Sequence, residues 1–364
     1  MPPNNEANEC GPTLSDTTGV LYEMDAEPQG TSKDISTLKT TDGRKLELVW
    51  TNILAFIYLH TASVYGLWLL LTGTMWQTVA FTALVFTFSG LGITGGAHRL
   101  WAHRTFKANL PLRAIFIFFN TIAFQDAVYY WARDHRLHHK YSETDADPYN
   151  STRGWFFSHI GWLCSKKHPE IKEKGKSIDL SDLRRDPLVM FQKKYYFFLM
   201  PICCFLLPTV IPVYFWGESV SVAWHVTALL RWCLVLNLAW LLNSSAHLYG
   251  NRPYDASISP TTQVFLVWLR FGEGFHNYHH VFPWDYKGAE LGRYSRDLTT
   301  NFIRLFARLG WAYDLKSVSM DMVQKRVLRS GDGSHPVWGW GDKDHPQEDI
   351  KSTTITYKRI VKQN

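Results

Sequence analysis

The sequence has no CxxC pair, and its five cysteines, Cys10, Cys164, Cys203, Cys204 and Cys233, are odd in number. Three of them lie in apolar runs, so no disulfide framework is expected and a reducing compartment fits. The first 45 or so residues are polar and hold no apolar leader, so no cleavable signal peptide is visible. There is no internal repeat and no low-complexity tract. Nothing resembles a nucleic-acid module, and the net charge of +6 fits the lysine excess of a membrane protein's cytoplasmic face or a basic docking surface.

What the chain has is apolar length. Of its 364 residues 46% are hydrophobic and 15% aromatic, gathered in blocks separated by long charged stretches. Four blocks are long enough to cross roughly 30 Å of hydrocarbon: residues 48–71, 78–97, 195–216 and 220–242. Pro201, Pro208 and Pro212 are expected to interrupt the third. The hairpin tips between blocks carry almost no Lys or Arg, while the N-terminal tail, residues 98–194 and residues 244–364 carry nearly all of them. The positive-inside rule makes those three segments and both termini cytosolic. Residues 1–47 read as a flexible tail, 48–330 as one domain and 331–364 as a C-terminal tail. Leu110–Phe124 is apolar but short for a span, and is expected to lie at the interface or re-enter. Arg231, inside the fourth block, reads as half of a structural ion pair rather than a catalytic group.

The 15 histidines are not scattered. Eight fall in three boxes: His98 and His103 in HRLWAH, His135, His138 and His139 in HRLHH, and His276, His279 and His280 in HNYHH. His247 follows Asn243 by one helical turn. On an α-helix, i, i+3 and i+4 share a face, so each HxxHH box is expected to offer three imidazoles to a common centre. Five residues turn an α-helix about 140° past one revolution, so His98 and His103 either clasp one site from separate angles or serve two metals. All boxes fall at one membrane edge. Nine imidazoles exceed the needs of one ion and suit two, and imidazole favours iron, copper, zinc or nickel. His60, His159, His168, His225, His335 and His345 match no box and are expected to be structural.

The strings GAHRLWAH (96–103), WARDHRLHHKYSETDADP (131–148), NSSAHLYG (243–250), GEGFHNYHHVFPWDYK (272–287) and HPVWGWGDKD (335–344) resemble the membrane fatty acyl-CoA desaturases of the stearoyl-CoA desaturase type. The wording is most similar to insect members, moth enzymes included. The resemblance implies an all-α integral membrane protein, four transmembrane helices under a helical cytosolic cap, in the endoplasmic reticulum. It implies two iron ions held by His98, His103, His135, His138, His139, His247, His276, His279 and His280, with Asn243 reached through water. It implies a fatty acyl-CoA substrate, O2, and electrons from cytochrome b5 and its NADH-dependent reductase. The cytochrome would be a separate protein, because the chain has no HPGG haem signature.

By the same resemblance, Gln125 and Trp131 shape a kink in the acyl chain, Trp240 lines its channel, and Thr82 and Phe86 form the channel floor. Asn52, Arg133, Asp134, Lys166 and Lys167 match positions that contact coenzyme A. Asp126, Tyr130, Tyr149 and Arg270 depart from common family residues, and none is expected to touch a ligand histidine. The implied reaction is desaturation at carbon 9 or, in a moth-like enzyme, carbon 11. The rival readings are a membrane di-iron hydroxylase, which shares the metal logic, and a histidine-relay metal transporter, which needs polar groups along the spans.

Overall fold

The computed structural model describes residues 46–263, 265, 272–290, 297–335 and 347–356. Expectations placed on residues 1–45 with Cys10, on Arg270, on His345 and on most of the HPVWGWGDKD string fall outside the described residues.

Four long apolar helices carry the architecture: α1 (Trp50–Thr72), α2 (Trp76–Ala102), then, after the two short helices α3 (Leu110–Ala123) and α4 (Val128–Tyr141), α5 (Pro187–Trp216) and α6 (Val220–Leu248). All but α1 run past the apolar blocks of the sequence, and α2 and α6 carry His98 and His247 on their ends. Large apolar side chains such as Trp50, Leu54, Trp68, Leu71, Phe197, Phe198 and Phe215 stand exposed along α1 and α5, the lipid-facing surface of a multi-pass membrane protein. α1 packs on α6 at Gly66, where a Cβ would lie 2.4 Å from the His225 carbonyl oxygen.

The two hairpin turns meet at one end of the bundle. Glu218 is buried there, accepting from the Met75 amide (3.1 Å), the Thr78 hydroxyl (2.7 Å) and the Ser219 amide (2.9 Å). His247 and the histidines of the three boxes lie at the other end, together with α3, α4, α7 (His276–Val281), α8 (Leu298–Arg308) and α9 (Met320–Ser330). A two-residue ladder, Lys107–Ala108 against Ala312–Tyr313, adds the only named strands among the described residues. α3 starts at an Asn109 cap followed by Pro111 and packs on α2 and α5, largely buried, as a short helix within the protein.

The prolines do not interrupt α5. Pro208 and Pro212 have no N–H, so the carbonyls of Cys204 and Pro208, four residues earlier, lose their helical donors. α6 replaces both: Arg231 Nη2 donates to Cys204 O at 2.7 Å, and Thr227 Oγ1 donates to Pro208 O at 2.6 Å. A π-helical segment, Pro201–Leu206, takes up the remaining misfit. Arg231 is fully buried, and its Nη1 also caps Ile122 O in the last turn of α3 at 2.9 Å. The expected ion pair is therefore corrected: no carboxylate pairs with Arg231 among the described residues, and its charge is spent on orphan carbonyls instead.

Candidate metal centre

Gly92–Ala102, the end of α2, is π-helical, with hydrogen bonds spanning five residues instead of four. The last such bond runs from the His103 amide to His98 O at 3.0 Å. Residues five apart then stack on one face, and His98 and His103 enter the same cluster. The α-helical 140° offset does not apply, which settles the two alternatives in favour of one shared site. Arg136 locks this segment to α4, donating to the end carbonyls of Trp101 (2.6 Å) and Ala102 (3.0 Å) while paired with Asp182 (2.6 Å).

Two groups of four imidazoles result, each with ligand atoms within 4.8 Å of one another: His98, His103, His135 and His279, and His138, His247, His276 and His280. Neither HxxHH box serves a common centre, which corrects the expectation from helix periodicity. The three positions of each box straddle the boundary: His135 goes to the first group and His138 to the second, while His276 and His280 go to the second and His279 to the first. His139 belongs to neither foursome but touches both, with its Nε2 3.0 Å from that of His279 and its ring stacked 4.1 Å from that of His280. Asn277 fixes the third box by accepting from the Tyr254 amide (2.9 Å) and donating to Pro260 O (2.9 Å).

Three imidazoles are oriented from behind by carboxylates. Nδ1 of His98 lies 3.1 Å from Glu273, Nδ1 of His138 2.9 Å from Asp147, and Nδ1 of His247 2.9 Å from Glu143. A carboxylate only accepts, so each Nδ1 carries a proton, and Nε2 is the nitrogen left to face the cluster. Those Nε2 atoms face other imidazole nitrogens: His98 to His279 at 3.0 Å, and His247 to His276 at 3.0 Å. Such a crowd of inward nitrogens fits a metal ion at each centre. Burial, then neighbouring imidazoles, push His103, His135, His139, His276, His279 and His280 well below the usual histidine range, keeping them neutral and ready to ligate. Burial favours the neutral acid at Glu273, but Arg99 and His98 outweigh it and hold the carboxyl at about 2.

Sequence reasoning missed these carboxylates and Arg99. The signal was present: Glu143 and Asp147 follow the second box within the SETDADP stretch, and Glu273 precedes the third within GEGF. Charged residues so close to metal boxes are candidates for the layer behind the ligands.

A cavity of about 570 Å³ reaches the clusters, with His98, His135, His138 and His276 in its wall. Asn52, Gln125, Trp131, Asp134, Lys167, Trp240 and Asn243 also line it. Trp131 stacks on His135 at 4.9 Å, and Asn52 donates to Leu163 O at 2.8 Å. Asp134 joins Arg133 (2.6 Å) and Lys167 in one ion cluster, while Lys166 pairs on the surface with Glu47 (2.6 Å). Arg133, Lys166, Thr82 and Phe86 are not among the lining residues. Phe86 packs behind the wall, against the cluster of Ile93, Ala123 and Val235, and Thr82 bonds back to Thr78 O. One departure does touch a ligand candidate, contrary to expectation: the Tyr149 ring lies 5.2 Å from His138. Of the histidines outside the boxes, His335 pairs with Glu290 (2.9 Å), His168 caps a helix, and His159 bonds Ser244 (3.0 Å) and approaches Asn237.

Four apolar helices with two buried imidazole clusters gathered at one end fit a membrane protein built around a histidine-box metal site. Residues 74–296 match the fatty acid desaturase family. The chain is 55% identical to an acyl-CoA Delta-9 desaturase of Acheta domesticus over 94% of its length and 97% of the relative. It is 52% identical to an acyl-CoA Delta(11) desaturase of Trichoplusia ni (93% and 95%), and 50% to an acyl-CoA Delta12-desaturase of Acheta domesticus (94% and 97%). The chain belongs to the fatty acid desaturase family and is an oxidoreductase.

Proposed function

We propose that the chain introduces a double bond at carbon 9 of a saturated fatty acyl-CoA, with two iron ions as its resident metals. The observation that carries this is the cavity that runs past the indoles of Trp131 and Trp240 and has imidazoles of both clusters in its wall. The balance is R–CH2–CH2–R′ + O2 + 2 e⁻ + 2 H⁺ → R–CH=CH–R′ + 2 H2O. The electrons come from cytochrome b5 and its NADH-dependent reductase, at the endoplasmic reticulum membrane, with both termini and the histidine end cytosolic.

An unactivated methylene has no acidic proton and no leaving group, so side-chain acids and bases cannot attack it. Bound iron would activate O2, the oxidant for the two C–H cleavages. The chain's own residues do the rest. His98, His103, His135, His139 and His279 would hold one ion and His138, His247, His276 and His280 the other, and Asn243 would reach one of them through water. Trp131, fixed against His135, and Gln125 and Trp240 hold the acyl chain bent beside the centre and exclude water. Asn52, Arg133, Lys166 and Lys167 face the anionic coenzyme A, with Asp134 orienting Arg133 and Lys167. Phe86 acts on chain length from behind Ile93, with Thr82 one helical turn before it.

A delta-11 activity is the second reading, favoured by the Trichoplusia ni relative at 52% identity. Expression in desaturase-deficient yeast, with double bonds located by mass spectrometry, decides between them. A monounsaturated product at carbon 9 is expected. Gain of one oxygen instead of loss of two hydrogens would convert the assignment to a hydroxylase. Metal flux in vesicles without O2 uptake would favour the transporter.

A further inference from the structure

We propose that the two histidine clusters are unequal metal sites, with the His138–His247–His276–His280 cluster binding the tighter because Glu143 and Asp147 stand behind two of its imidazoles. This deepens the reading that the clusters hold two metal ions and rests on it.

The asymmetry lies in the layer behind the ligands. Among the described residues the first cluster has a single carboxylate contact, His98 to Glu273. That carboxylate is already engaged: Arg99 binds it through Nη2 at 2.8 Å and Nε at 3.2 Å, and Arg99 also meets Asp297 at 3.4 Å. Its negative charge is largely compensated before it reaches the imidazole. The second cluster has two carboxylate contacts, at 2.9 Å each, on His138 and His247. No Lys or Arg pairs with Glu143 or Asp147 among the described residues. Their remaining contacts are neutral donors: Ser151 Oγ to Glu143 at 2.8 Å, and the amides of Glu143 and Tyr149 to Asp147 at 3.0 Å each.

The chain spends strain on this arrangement. Glu143 sits at φ 65°, a left-handed conformation that costs a non-glycine residue, and its own amide is tied to Asp147. The turn after α4 thereby aims two anions at one cluster. An imidazole whose Nδ1–H is held by an uncompensated carboxylate shifts toward imidazolate and becomes a stronger donor at Nε2. Two such imidazoles out of four raise the affinity of the second cluster above that of the first, and Glu143 and Asp147 act as positioning residues for its ion.

The test uses the full-length protein in detergent, loaded with 57Fe(II), in wild-type form and as Glu143→Gln, Asp147→Asn and Glu273→Gln. Iron is counted per chain during titration with a chelator, and Mössbauer spectra are recorded alongside thermal melts of the metal-free protein. Two ions leaving the wild type in two separate phases is the expected result. Glu143→Gln and Asp147→Asn, which keep side-chain shape, lower the affinity of the tight phase by about 10–100-fold and move one of the two quadrupole doublets. Glu273→Gln acts on the weak phase. Two ions leaving together, or an unmoved tight phase in Glu143→Gln and Asp147→Asn, overturns the inequality while leaving the two-metal reading intact. Fewer than two ions in the folded wild type overturns both. A shift of melting temperature in the metal-free variants with an unchanged tight phase marks the carboxylates as merely structural and also overturns the proposal.

Discussion

The amide of His103 donates to the carbonyl of His98 at 3.0 Å, across five residues, in the last turn of a π-helical segment. That one bond turns the HxxxxH spacing into a two-imidazole face. The segment lies tight against α3: a Cβ on Gly92 would sit 2.3 Å from both the Asn120 amide nitrogen and the Phe119 carbonyl carbon. Both are backbone atoms and cannot swing away. Gly92→Ala is expected to force α2 off α3, costing about 1–3 kcal/mol or more. Metal content and thermal stability in detergent check it, and both should fall together.

Arg231 does for α5 what its prolines cannot. Arg231→Met keeps the bulk but leaves Cys204 O and Ile122 O without donors. Each buried orphan costs about 1–3 kcal/mol, so the variant should be less stable by several kcal/mol. Arg231→Lys, with one ammonium for two carbonyls some distance apart, should recover only part. The melting temperature of the purified protein gives the comparison, and an unchanged value for Arg231→Met would refute the capping role.

The metal-free protein should be acid-sensitive in two windows. The six imidazoles with lowered values are neutral in the fold and take up protons on unfolding. Their contribution is full above the free-histidine value of about 6.5 and declines as pH falls below it, by about 1.4 kcal/mol per pH unit for each. Glu273, held at about 2, adds a second loss below about pH 4.5. Unfolding monitored from pH 8 to pH 4 in detergent should show the first loss, and bound metal should suppress it, because the metal binds only the neutral imidazole.

Asp126 lines the cavity beside Lys167 and Asp134. Burial raises its carboxyl, with Asp134 adding, against the Ala127 amide and Lys167. A neutral acid at this place does not repel an anionic substrate, whereas its ionised form does. KM for acyl-CoA is therefore expected to climb as pH rises through the Asp126 titration, and Asp126→Asn should flatten that climb with kcat little changed. An identical profile in the variant would exclude the residue from substrate contact.

His138→Ala and His279→Ala test the two clusters separately. Each should lose product while still inserting into membranes, and each should lose metal from its own cluster. Normal turnover in either variant would refute its assignment as a ligand.

Four apolar blocks, eight histidines in spaced boxes with His247 beside them, and the choice of imidazole over carboxylate ligands were all legible along the chain, because spans and boxes are local patterns. Helix periodicity failed at His98–His103 because the helix there is π, and it could not foresee the division of both HxxHH boxes, which lie on α-helices, between two centres, because that depends on how α2, α4, α6 and α7 face one another. The same holds for Arg231, whose partners Cys204 and Ile122 lie 27 and 109 residues away, and for Glu143 and His247, 104 residues apart. Composition determined that this chain crosses a membrane and gathers metal-binding groups. Only tertiary packing decided which imidazole joins which cluster and where the anions stand, since a buried charge or orphan carbonyl takes whatever partner the fold brings within reach, whatever the distance along the sequence.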